Sequence, residues 1–122
     1  MIIKDIRVTP LRVQTKVPYV WSLGVEQAFT VNLIEVEDGT IGYGETTVAP
    51  DADAQKIVLL KLAKSYIGRS VFENCAAQDE AYKHNFLIFG GNMSRYANQL
   101  FCGLKMAALD LQGKLLGRPA WD

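Results

Sequence analysis

The stretch FTVNLIEVEDGTIGYGETT, Phe29 to Thr47, constrains this chain more than any other part of it. β-favouring residues run from Phe29 to Val36, Asp38-Gly39 interrupts them, and Thr40, Ile41 and Tyr43 begin a return run. Two such runs joined by Asp-Gly predict an antiparallel hairpin with a two-residue type I′ turn, which needs positive φ at both central positions. Gly42 and Gly44 flank Tyr43 and leave room for a neighbouring backbone or a bulge. A hairpin alone is marginal in water, so the other segments must cover it.

Upstream, Ile2 to Gln14 reads as a first strand. Ile6 and Val8 fall on one face, Leu11 and Val13 on the other, and the phase slips near Pro10. Proline cannot donate to a ladder, which predicts an edge position or a bulge there. Lys16 to Ala28, punctuated by Pro18 and Gly24, reads as a loop carrying Tyr19, Trp21 and Leu23. Large apolar side chains in such a segment need a cover. Either they tuck back under the sheet or they form a flap that closes on a ligand or another domain.

Downstream the period changes from 2 to 3.6. Asp51 and Asp53 are candidate N-caps for a helix to about Ile67, with Val58, Leu59, Leu62, Ala63 and Tyr66 on its apolar stripe and Gly68 ending it. Ser70 and Glu73 have capping-box spacing ahead of a second helix to about Lys83. His84 to Asn92 breaks the pattern, either as another covering loop or as a connector packed on the core. A third helix from Asn92 or Ser94 to Leu116 carries Ala97, Leu100, Phe101, Leu104, Ala107, Ala108, Leu111 and Leu115 at helical spacing. Gly103 and Gly113 inside it each cost roughly 1 kcal/mol relative to alanine, which predicts close packing against a neighbour. Gly117 and Pro119 end it. The fold class is α+β: a three-stranded antiparallel meander followed by three helices.

With 122 residues, the chain has room for one domain with a modest core. A formal net charge of zero and the absence of a basic stripe argue against nucleic acid. No apolar run reaches the ~18 residues of a membrane span. MIIKDIRV alternates and carries charge, so it reads as a strand rather than an export signal, and the expected location is cytoplasmic. Cys75 and Cys102 are then expected to be reduced and buried. The search for chemistry is mostly negative. One histidine, His84, rules out multi-histidine metal sites, no phosphate-binding glycine loop appears, and the cysteines are too far apart for a CxxC pair. Glu35, Glu37 and Asp38 read as solvated turn charges, Glu45 as a structural carboxylate, and Asp110 with Lys114 as an i, i+4 pair worth tenths of a kcal/mol. The Pro18–Leu23 loop, the Phe86–Phe89 segment and the last helix leave apolar surface that a missing partner should cover.

Two motifs then stand out: Gly39-Thr40-Ile41-Gly42-Tyr43-Gly44-Glu45, and Ala108-Leu109-Asp110-Leu111-Gln112-Gly113-Lys114 followed by Leu116-Gly117-Arg118-Pro119. Together, in this order and at this separation, they resemble the N-terminal capping domain of the mandelate racemase/muconate lactonizing enzyme group of the enolase superfamily, over essentially the whole chain. The resemblance implies an enolase N-terminal domain-like fold over residues 1–122, ending where a catalytic (β/α) barrel would begin. It implies that the missing barrel holds Mg²⁺ and the bases that remove a proton α to a carboxylate, while this chain holds no catalytic residue, metal or cofactor of its own. It implies that two loops of the cap, matching Val17 to Gln27 and Thr46 to Asp51, exclude water and choose a small carboxylate substrate. Tyr19, Trp21, Ser22 and Leu23 are the first contact candidates, Thr47 and Val48 the second. The third helix would pack against the barrel. The expected parent is a racemase, cycloisomerase or acid-sugar dehydratase, active as a homo-oligomer, with this chain inactive by itself. The alternative is a free-standing binding or oligomerisation module.

Overall fold

The computed structural model describes residues 1–47, 51–84 and 94–122. The expectations at Val48 and over Phe86–Gly91 lie outside these residues. Strands β1 (Asp5–Trp21), β2 (Gly24–Glu37) and β3 (Ile41–Thr47) form one antiparallel sheet in the order β1-β2-β3. Helix α1 (Ala52–Ala63), a 3₁₀ turn over Val71–Glu73, α2 (Asn74–His84) and α3 (Ser94–Leu116) follow. This is the expected α+β meander with three helices. Among the described residues no helix is long and apolar enough to cross a membrane.

The alternation in β1 and β2 builds the floor of the core. Ile6 pairs with Val36 and Val8 with Ile34, and all four are buried. The register runs unbroken from Asp5↔Glu37 to Gln14↔Ala28, so Pro10 sits in a regular ladder on an edge strand without a phase slip. The irregularity lies further on, where Thr15 to Pro18 face Gln27 alone.

The β2–β3 turn differs from the two-residue form. Glu37 pairs with Ile41, leaving three residues, Asp38 to Thr40, between the strands. Gly39 has φ +124°, and no described non-glycine residue has positive φ, so Asp38 does not meet the type I′ requirement. Instead Asp38 Oδ1 accepts the Thr40 N–H at 3.0 Å, the aspartate's usual way of closing a turn on its own backbone.

Asp51 caps α1 by accepting from the amides of Asp53 and Ala54. Leu59, Leu62, Ala63 and, past the helix end, Tyr66 are buried. The Ser70–Glu73 capping box forms on the 3₁₀ turn that leads into α2. Cys75 and Cys102 are free thiols, as expected, but both are exposed rather than buried, because each falls on the outer side of its helix.

Helix α3 lays its apolar stripe, Ala97 to Leu111, on the sheet. The approach is close because glycines meet there. A Cβ on Gly42 would lie 2.6 Å from Leu111 Cβ, one on Gly44 2.7 Å from the Ala107 nitrogen, and one on Gly103 2.7 Å from Ile34 Cδ1. The glycine cost inside α3 is therefore offset by packing that no side chain would permit. The close neighbour is the chain's own sheet, so the main stripe is not left for an outside partner. Met106 and Leu109 remain exposed beside it.

Candidate functional site

The resemblance directs attention to the two ends of β2. At one end, β1 and β2 continue past the helices as a two-stranded ribbon. Tyr19 pairs with Glu26, Val20 with Val25 and Trp21 with Gly24, leaving Ser22-Leu23 as the turn. The expected loop over Lys16–Ala28 is thus mostly strand. Pro18 and Gly24 read as loop punctuation, but Pro18 falls in the irregular stretch and Gly24 closes the turn, while Val17, Tyr19, Val20, Trp21 and Val25 are strand formers. That run of β-branched and aromatic residues on both sides of Ser22-Leu23 was the signal available in the sequence.

The ribbon tip does not tuck under the sheet. Tyr19 is 55% exposed, Trp21 45% and Leu23 82%. One internal contact steadies it: the Tyr19 ring meets Phe29 edge-on, with centroids 5.8 Å apart. Thr15 also donates to the Gln27 carbonyl at 2.9 Å.

At the other end, Thr47 closes β3 opposite Val31. Val31 is seven residues along β2 from Gly24, roughly 23 Å of strand. The two groups of candidate contacts are therefore held on one strand but not brought together. Val48 lies outside the described residues.

Between them the helix-facing side of the sheet changes character. Ile6/Val36 and Val8/Ile34 are core, Pro10/Asn32 come next, then Arg12/Thr30 and Gln14/Ala28. Asn32 Nδ2 donates to Gln55 Oε1 at 2.7 Å and to the Ala52 carbonyl at 3.1 Å, and Thr46 Oγ1 donates to the same Gln55 oxygen at 2.8 Å. All three side chains are buried. This cluster ties β2, the end of β3 and the first turns of α1 together. It was missed in the sequence, where Asn32, Thr46 and Gln55 look like surface residues.

Past the cluster the face opens. One cleft of about 400 Å³ is lined by Pro10, Arg12, Thr30, Asp51 and Asp53 among others. A second of about 170 Å³ is lined by Arg12, Gln14, Gln27 and Ala28. Arg12 borders both.

The sequence motifs prove to be structural. Asp110 Oδ2 accepts the Tyr43 N–H at 2.8 Å and the Lys114 ammonium at 2.6 Å, and Lys114 Nζ also donates to the Ile41 carbonyl at 2.8 Å. Lys114 lies over the Tyr43 ring, 4.7 Å from its centroid. These groups cover the free edge of β3, which would otherwise present unpaired backbone. Partial burial pushes the Asp110 carboxyl up, but Lys114 and the Tyr43 amide outweigh it and hold the group below the usual carboxylate range.

The acidic residues near the hairpin are also committed. Arg7 Nη1 contacts Glu37 at 2.8 Å and Asp5 at 3.3 Å, and its Nε reaches Glu35 at 3.4 Å. Glu80 pairs with Arg69. His84 is exposed at the end of α2, its Nδ1 3.0 Å from the Glu80 carbonyl oxygen. Among the described residues, no three His, Cys, Asp or Glu side chains gather as a metal ion would require.

Comparison with known proteins agrees with this architecture. No curated protein matches the sequence significantly. A Bradyrhizobium enolase solved with magnesium and mandelic acid superimposes with TM-score 0.80 at 18% identity, over 98% of this chain and 33% of the other. The dipeptide epimerase from Enterococcus faecalis, solved with Mg and the dipeptide L-Leu-L-Tyr, gives 0.76 at 20%, over 95% and 32%. An enolase from Gibberella zeae, solved with magnesium, formate and sulfate, gives 0.76 at 27%, over 94% and 28%. The chain thus spans about a third of the length of these solved proteins. Residues 3–122 match the family described as mandelate racemase / muconate lactonizing enzyme, N-terminal domain, and with the strand order, the α3–β3 contact and both motifs in place the chain belongs to that family.

Proposed function

We propose that residues 1–122 act as the cap of a Mg²⁺-dependent enzyme that removes the proton α to the carboxylate of a small substrate. The catalytic groups belong to a (β/α) barrel joined to this domain. In this reading Tyr19, Trp21, Ser22 and Leu23 close over the barrel mouth from one side, and Thr47 and Val48 approach from the other. They exclude water and select the substrate. The observation that carries the reading is the ribbon: an ordered, paired element whose aromatic tip stands in solvent while the core closes without it. The magnesium held by the solved dipeptide epimerase and enolases supports the choice of metal. This chain's described carboxylates do not fit Mg²⁺, because those that cluster are already paired with Arg7 or Lys114. Isomerase, racemase and acid-sugar dehydratase chemistries all start from the same proton abstraction.

The test is Mg²⁺-dependent exchange of the α-proton, followed by NMR in D₂O over a panel of carboxylates. The expected result is exchange by a polypeptide that joins this domain to its barrel and none by residues 1–122 alone. Exchange by the 122-residue chain alone contradicts the proposal.

The exposed tip also favours a second reading, a module that associates with copies of itself. Light scattering separates the two. A discrete dimer that persists at micromolar concentration, abolished by Trp21→Ser, supports the second reading.

A further inference from the structure

We propose that the open clefts on either side of Arg12 are one binding site for a hydroxylated carboxylate, with the Arg12 guanidinium taking the carboxylate. Three observations carry this. First, Arg12 occupies a core-facing position of the sheet beyond the point where the core ends. It continues the Ile6, Val8, Pro10 series on β1, and its cross-strand neighbour is Thr30. A side chain there faces the helix layer, but no helix covers it, and Arg12 is exposed. Second, Arg12 makes no ion pair or hydrogen bond among the described residues, in contrast to Arg7, whose guanidinium meets three carboxylates. It is the sole cation lining either cleft among the described residues. Third, the remaining lining is polar and suited to hydroxyl groups: Thr30 and Asp53 in the larger cleft, Gln14 and Gln27 in the smaller.

The chemistry selects the ligand class. A planar guanidinium can bind a carboxylate through two parallel N–H···O bonds. Asp51 and Asp53 repel a second anionic group, and Asp51 already spends Oδ1 on the α1 amides. A carboxylate oxygen accepts from a hydroxyl, so the same groups that disfavour a dianion favour a polyol tail. The buried Asn32–Gln55–Thr46 cluster forms the rigid boundary behind the larger cleft, through Asn32 opposite Pro10 and Gln55 on α1. The site therefore has a fixed wall on one side and the ribbon on the other. For catalysis this places a specificity-determining residue between the two sets of capping contacts. That consequence rests on the capping reading; the binding itself does not.

The experiment uses the ¹⁵N-labelled 122-residue chain and three probes: sodium D-gluconate, sodium hexanoate and sorbitol. Gluconate has both the charge and the hydroxyls, and each of the others has one. At constant ionic strength set with NaCl, gluconate is expected to shift the Arg12 Nε–H signal and the Thr30 and Asp53 amides. Saturation is expected on the order of millimolar, as one charge-assisted pair with a few hydroxyl contacts supports. Hexanoate and sorbitol should bind at least ~10-fold more weakly, the scale of one lost bond to a charged group. Arg12→Gln should lose gluconate binding by about the same factor with unchanged dispersion elsewhere in the spectrum, and Arg12→Lys should recover only part of it. Equal shifts with hexanoate, or unchanged gluconate affinity in Arg12→Gln, overturn the site. The exchange assay on the barrel-joined protein is independent: binding without exchange keeps the cleft and removes the cap. Exchange with the same KM in wild type and Arg12→Gln, together with no gluconate binding, removes the cleft and keeps the cap.

Discussion

Two contacts of β-structure behave in opposite ways in this molecule. Where β3 meets α3, glycine faces glycine, backbone lies on backbone, and two polar side chains of the helix complete the strand edge. Where β1 and β2 run out past the helices, the pairing continues but nothing lies on it, and the largest aromatic side chains stand in solvent. Hydrogen bonding between strands is common to both. The difference is burial, and burial is what makes a position intolerant of change. The first region holds the fold and the second is free to serve something outside it.

The largest expected effect is at the glycines. Gly44→Val places branched carbon against the Gly103 carbonyl and the Ala107 nitrogen, neither of which can move without the helix. Overpacking of this kind costs about 3 kcal/mol or more, so urea unfolding should show a lowered midpoint or no folded baseline. A stability within 1 kcal/mol of wild type would mean that α3 rides further from β3 than described.

Next is the buried cluster. Gln55→Leu leaves the Asn32 amide and the Thr46 hydroxyl without their shared acceptor, which should cost ~2–3 kcal/mol. Amide hydrogen exchange should rise most around Thr46 and Ala52–Gln55, because those are the segments the cluster joins.

Asp110→Asn should be smaller, about 0.5 kcal/mol at neutral pH, because the Asp110–Lys114 pair is partly exposed and screened by solvent. Its pH dependence is the sharper test. The folded carboxyl titrates below the unfolded one, so its contribution is fully present above the ordinary aspartate range near ~4 and is lost as pH falls through the folded value. Wild type and Asp110→Asn should therefore converge in stability below about pH 3 and differ above about pH 5. A gap that widens on acidification would show that the Tyr43 and Lys114 contacts do not form.

The smallest effect on stability belongs to the ribbon. Trp21→Ser and Leu23→Ser should change unfolding free energy by less than ~0.5 kcal/mol, as at other positions outside the core. They should still lower self-association seen by sedimentation. A loss above 1 kcal/mol would place the tip in the fold and dissolve the contrast between the two regions.

How much of this was legible follows from how local each signal is. The stripes on α1 and α3, the Ser70–Glu73 box and the Asp51 cap were readable because every partner lies within a few residues. The Asp110–Lys114 pair was readable as a helix pair but not as a strand cover, since its backbone partners Tyr43 and Ile41 are 67 and 73 positions away. The ribbon was hidden because Thr15 to Pro18 face one residue of β2, which destroys the period-2 pattern that identifies a strand. The same distance problem hid Arg7's three acidic partners and the open position of Arg12.

By itself the sequence determined the α+β order, the periodicity of each helix and the two glycine-bearing motifs, because backbone preference and amphipathic spacing act over one or two turns of chain. Only the tertiary structure decided what those glycines touch, which polar residues are buried together and where the core stops on the sheet. Those outcomes depend on close packing between residues far apart in the chain, and close packing is a property of surfaces that exist only after the elements have met.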